Sequence, residues 1–143
     1  MLSKELRGFD VREYIRLLTA IAAVDGIDPV EEDFIRKQAA EFGVDADALL
    51  KDPPNDLNVI VGDSSHVTRR AIYRDCFMLA QADNTFSFAE RKAMSALRKT
   101  LGLSLECALA IESWAVRYDA ILREGQRLMG EDWKPADENI KLD

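Results

Sequence analysis

The chain has 143 residues, 48% of them hydrophobic and 31% charged, with a formal net charge of −7, the size and composition of one globular domain that buries a true core. No apolar run approaches the ~20 residues needed to cross a bilayer, and charged residues stand where a signal peptide would carry its apolar segment, so the sequence predicts a soluble, cytoplasmic, non-transmembrane protein. The acidic excess is local: residues 1–63 hold 14 acids against 7 bases and residues 64–143 hold 12 of each, which disfavours nucleic acid as a partner and suits a cation or a basic protein patch.

In chain order, almost every segment has helical periodicity. Val11, Tyr14, Ile15, Leu18, Ile21 and Ala22 keep the spacing of an amphipathic helix over about 10–24, with Asp10 as N-cap and Asp25-Gly26 as its stop. Asp28-Pro29-Val30-Glu31 opens a second helix with an N-cap, a proline at the first helical position and a capping box. It carries Val30, Phe34, Ile35 and Phe42 inward and ends at Gly43. A short helix at about 46–51 is broken by Pro53-Pro54-Asn55.

After a loop around Gly62–Ser65, a helix over about 66–82 presents Val67, Ile72, Cys76, Met78 and Leu79 and stops at Asp83-Asn84. Ser87-Phe88-Ala89-Glu90 is a second capping box, followed by Met94, Leu97 and Leu101 and a stop at Gly102. Ser104 caps a last long helix that runs with Leu105, Leu109, Ile111, Trp114, Tyr118, Ile121, Leu122 and Leu128 to about Gly130. Its apolar positions extend around more than one face, which packing within the domain and homodimerisation both explain. No stretch alternates as a strand does, so the predicted fold class is all-α: one helical domain over 1–130 and a polar tail over 131–143, anchored by Trp133. Cys76 and Cys107 lack any CxxC pairing and read as small, reduced, buried core residues.

Two phrases repeat. Residues 21–26 match 79–84 at an offset of 58, and residues 27–44 match 86–103 at an offset of 59; each copy then runs 12 residues from Glu to Gly, as Glu31–Gly43 and Glu90–Gly102. The agreement of Asp, capping box, apolar positions and terminal glycine predicts two related helical hairpins. Counting by helical turns, Asp25 and Asp83 each continue a core stripe, and Glu31 and Glu90 each begin one. Both carboxylates of a hairpin therefore fall at one end of the bundle.

An Asp at a helix C-terminus faces the negative end of the macrodipole, and three arrangements offset that. The carboxylates serve as caps and turn acceptors; they pair with Arg12, Arg69, Arg70 or Arg74; or they hold a hard divalent cation such as Ca²⁺, Mg²⁺ or Mn²⁺. Asp28 and Glu32 are further candidate ligands in the first copy. An EF-hand is excluded, because its ligands span a 12-residue loop and the Asp-to-Glu distance here is 6 or 7 residues.

A helix ending in Ala-x-x-Asp-Gly, a short turn with Ile, a Ser or Asp cap, and a Glu opening the next helix resembles the TerB family of tellurite-resistance proteins and the related N-terminal domain of the DjlA co-chaperones. The resemblance covers about residues 10–125. It implies about seven helices, two pseudo-symmetric hairpins forming a four-helix core, a cytoplasmic role in metal and chemical stress, and an acidic cluster that binds a divalent metal ion. The matching positions are Asp25 and Glu31 in the first copy and Asp83 and Glu90 in the second. Asn84 stands in place of the family's second turn glycine, and the first copy is one residue shorter, which brings Glu32 to the spacing seen at Glu90. No J-domain is present in the sequence.

Nothing in the sequence marks an enzyme or an organic cofactor. His66 follows Ser64-Ser65 without an identifiable catalytic partner, and there is no phosphate-binding glycine loop, HExxH or GxSxG. The expected function is non-enzymatic: divalent-ion binding at the repeated turns, or docking of a basic protein on the acidic face formed by Asp28, Glu31, Glu32, Asp33, Glu41, Asp45 and Asp47. Tellurite is an anion, so a role in tellurite resistance would be indirect.

Overall fold

The computed structural model describes residues 9–58, 64–81 and 86–130. Within them six α-helices follow one another: α1 (Val11–Ala23), α2 (Pro29–Glu41), α3 (Asp47–Lys51), α4 (His66–Ala80), α5 (Phe88–Thr100) and α6 (Leu105–Met129). The family resemblance implied about seven; among the described residues there are six, and no strand. The tail over 131–143, including Trp133, lies outside the described residues.

Local chemistry sets the helix ends. Asp10 accepts from the Arg12 N–H, Ser65 from Thr68 and Ser104 from Cys107, each satisfying a first-turn donor that has no partner within its own helix. Gly43 and Gly102, both at φ +70°, turn the chain after α2 and α5 in the left-handed conformation that a Cβ disfavours.

Burial ranks the helices. In α1, residues 17–22 are buried without a break, and in α4 Ala71–Tyr73 and Asp75–Phe77 are buried, so these two helices are enclosed on several faces. They form the central pair. α2 packs on both, α5 packs on both, and α6 lies along α4. By contrast α2 and α5 each bury one stripe, Glu31, Ile35 and Ala39 in the first and Glu90, Ala93, Met94 and Leu97 in the second. Each large apolar side chain taken wholly out of water in this way stabilises the fold by roughly 1.5–3 kcal/mol before the entropic cost. An edge-on contact between Tyr14 and Phe42, with ring centres 5.9 Å apart, closes the α1–α2 hairpin. Arg16 holds the segment after α3 against α1 by donating to the backbone carbonyls of Asp56 and Asn58.

Several expected core positions are open instead. Val30 is 52% exposed, because its place on the helical wheel lies about 100° from Glu31, at the margin of the buried stripe. Val67 is 58% exposed; it shares a row with Arg70, Arg74 and Met78, a side of α4 that the other described helices cover only in part. Cys76 is buried as expected and its thiol is pushed well above the usual value by desolvation and then by the neighbouring Asp75 carboxylate, whereas Cys107 is half-buried. The largest departure is α6. It buries Ala108, Glu112 and Ala115, but from Asp119 to Met129 every residue except the half-buried Gly125 is exposed. Packing within the described residues therefore accounts for Ala108, Ile111 and Ala115 but not for the apolar positions from Ile121 onward.

Candidate functional site

The two repeated turns have matching chemistry. At the first, the Asp28 carboxylate accepts from the Glu31 N–H at 2.8 Å while Glu31 Oε1 accepts from the Asp28 N–H at 3.1 Å. At the second, Ser87 Oγ accepts from the Glu90 N–H at 3.0 Å while Glu90 Oε1 accepts from the Ser87 N–H at 3.2 Å. Both glutamates are buried, as the predicted stripes require. Burial holds the side chain against the cap, so each box is fixed from the core side as well as by its own hydrogen bonds.

Asp25 does not continue a core stripe. α1 ends at Ala23, Val24 is its C-cap, and Gly26 at φ +83° redirects the chain, so the helical phase that pointed Asp25 inward has already been lost and the residue is exposed. Glu32 pairs with Arg36, one turn ahead in α2, at 3.1 Å. Asp83 and Asn84 lie outside the described residues. Of the arginines expected near the acids, Arg69 donates to Ser64 Oγ and Arg74 donates to Asp75 Oδ1. Among the described residues no three His, Cys, Asp or Glu side chains come together to hold a metal ion. The carboxylates of the first turn thus do not gather in a group of three: Asp28 and Glu31 accept from backbone donors, Glu32 faces Arg36 and Asp25 is exposed.

The outer side of the first hairpin has a different character. Between residues 23 and 52 the sequence has nine acids and three bases. Asp25, Asp33, Glu41, Asp45, Asp47 and Asp52 are exposed there. Arg36 bridges Glu32 and Asp47, joining α2 to the start of α3, and Lys37 pairs with Asp33. These exposed pairs contribute little to stability individually, and they leave the surface with an acidic excess. An adjoining open groove of about 560 Å³ is lined by Asp10, Arg12, Glu13, Arg16, Asp45 and Leu49.

Two buried polar networks were not among the expected site residues. Tyr14 in α1 donates its hydroxyl to Asp75 Oδ2 in α4 at 2.6 Å, and Gln38 Oε1 of α2 lies 3.2 Å from the Tyr14 hydroxyl oxygen. Tyr73 in α4 donates to Glu112 Oε2 in α6 at 2.6 Å, and Arg91 of α5 donates to Glu112 Oε1 at 2.7 Å. Desolvation raises both phenols well above the usual tyrosine value, and the accepting carboxylate raises each further. A signal for them exists in the sequence: Asp75 falls on the stripe Thr68, Ile72, Leu79, and Glu112 falls between Ala108 and Ala115, each a charge on a buried face that demands a partner. The partners, 61 and 39 residues away, are not given by any local spacing. Tyr73, Arg91 and Glu112 line a small open depression of about 110 Å³ together with Ser95 and Arg98, and both networks act as polar ties between helices.

No protein-family model matches the chain, and no curated protein or solved structure matches it either. No helix among the described residues is long and apolar enough to cross a membrane.

Proposed function

We propose that the chain is a non-enzymatic, TerB-like helical module of the cytoplasmic stress response that acts by docking a basic protein surface on its first hairpin. The observation that carries this reading is the concentration of nine acids against three bases between residues 23 and 52, six of the acids being exposed, with Arg36 pairing to Glu32 and Asp47. Such a surface attracts a cationic partner and accelerates encounter in a salt-dependent way. The pseudo-symmetric arrangement of two hairpins is part of the same proposal. It is supported by the matching capping boxes, by the two glycines at the same φ, and by the reciprocal packing of α2 on α4 and α5 on α1.

The test is calorimetric titration of a Lys/Arg-rich peptide at low and high salt, against the native chain and a variant carrying Asp33→Asn, Asp45→Asn and Asp47→Asn. Saturable binding that weakens with salt and is lost in the variant supports docking. Binding indifferent to the three substitutions rejects this face.

A divalent ion at the acidic turns is a second reading, favoured by the burial of two carboxylates, Glu31 and Glu90, at equivalent first-turn positions. Titration of Ca²⁺, Mg²⁺, Mn²⁺ and Zn²⁺ into metal-stripped protein, repeated with Asp83→Asn plus Glu90→Gln, separates it from docking. Saturable binding lost in the double variant would support the ion; absence of binding at millimolar metal would leave those acids as caps.

A further inference from the structure

α6 carries a seam that is left largely open among the described residues, only its first position, Ile111, packing against the core. Ile111, Trp114, Tyr118, Ile121, Gly125 and Leu128 recur at alternating spacings of three and four, the a and d positions of a coiled coil. Within this row Trp114, Ile121 and Leu128 are exposed, and Leu122 and Met129 extend the same face. Trp114 and Tyr118 stack with ring centres 5.1 Å apart and planes 14° from parallel, forming a flat aromatic ledge. Gly125 has no local justification. It sits inside a helix, where glycine costs about 1 kcal/mol relative to alanine, and a Cβ built on it would meet nothing within 4 Å.

We infer that this seam pairs with α6 of a second copy in antiparallel orientation. Reversing the helix against itself about a two-fold axis near residues 119–120 places Tyr118 opposite Ile121 of the second copy, Ile111 opposite Leu128, and Trp114 opposite Gly125. The largest side chain of the seam thus faces the residue with none, which explains the glycine. In the same register the flanking positions place Arg117 opposite Glu124 of the second copy, and the two-fold axis repeats that pair. An isologous contact needs a surface complementary to itself, and this face meets the requirement in both shape and charge. A parallel pairing would set Trp114 against Trp114 and Arg117 beside Leu122, losing both matches. The proposal is independent of the acidic docking face, which lies on α2 and α3.

Sedimentation velocity across about a hundred-fold range of concentration tests the assembly, since a self-association equilibrium shifts with protomer concentration. A concentration-dependent dimer is expected. Gly125→Leu should abolish it without lowering the melting temperature of the monomer, because the added side chain has open space within the chain. Arg117→Glu should weaken the dimer about ten-fold by setting like charges together twice, and adding Glu124→Arg should restore it. A monomer at every concentration overturns the proposal, as does a dimer indifferent to Gly125→Leu and to the charge exchange. If removing residues 131–143 turns a monomer into a dimer, the tail is the native occupant and the proposal is likewise overturned.

Discussion

Tyr14 and Asp75 meet across the two central helices, the phenol donating to a fully buried carboxylate at 2.6 Å. The contact joins residues 61 positions apart and sits where α1 and α4 enclose one another. Tyr14→Phe keeps the ring and removes only the donor. It should cost about 1–3 kcal/mol, the usual penalty for depriving a buried charge of a hydrogen bond, seen as a lower urea midpoint. Asp75→Asn, which keeps an acceptor for the phenol, should cost less than Asp75→Ala.

The same burial makes the fold sensitive to alkali. The Tyr14 and Tyr73 hydroxyls and the Cys76 thiol all titrate higher in the folded chain than they would unfolded. The unfolded chain therefore releases these protons first as pH rises. Their contribution is whole below the unfolded values, the lowest being the thiol at 9.0 and the phenols at 10.0, and is lost as pH climbs above them toward the folded values. Unfolding free energy measured from pH 8 to 11 should fall from about pH 9 upward. The decline should be shallower in Tyr14→Phe plus Tyr73→Phe.

Glu31 and Glu90 each accept from the N-cap backbone of their helix. Replacing either by Ala should cost about 0.5–2 kcal/mol in thermal unfolding. Glu→Gln at the same positions should cost less, since an amide oxygen still accepts. If capping is their whole role, these losses are equal with and without divalent metal.

Glu112 ties α6 to both α4 and α5 through Tyr73 and Arg91. Glu112→Ala leaves the Tyr73 hydroxyl without its carboxylate, and about 1–3 kcal/mol of destabilisation is expected. Arg91→Ala should cost less, because the Arg91 side chain is 51% exposed and solvent screens the pair. Amide hydrogen exchange should show the lost protection concentrated in residues 105–118 of α6.

Gly43 and Gly102 hold φ +70°. A Cβ at either position has space, its nearest neighbour being an Arg69 guanidinium nitrogen 3.7 Å from Gly102. Alanine at each should nevertheless destabilise by about 1 kcal/mol through backbone strain alone, measurable by thermal melts of the single variants.

The helices, both capping boxes, the glycine stops and the repeat were all determined by the sequence alone, because each depends on side chains reaching backbone groups two to four residues away. Asp28 with Glu31 and Ser87 with Glu90 illustrate this: the donors and acceptors are in the same helical turn, so spacing dictates geometry. Tertiary structure decided what helical phase cannot carry. Asp25 left the core stripe because α1 ended two residues before it, and Val67 stayed open because the described helices cover only the Arg74–Met78 end of its row of α4. The pairings of Tyr14 with Asp75 and Tyr73 with Glu112 required helices distant in sequence to pack side by side. The exposed half of α6 followed from the same cause: among the described residues, contact with α4, and with α5 through Arg91, selects the row of Ala108, Glu112 and Ala115 for burial and leaves the other rows open.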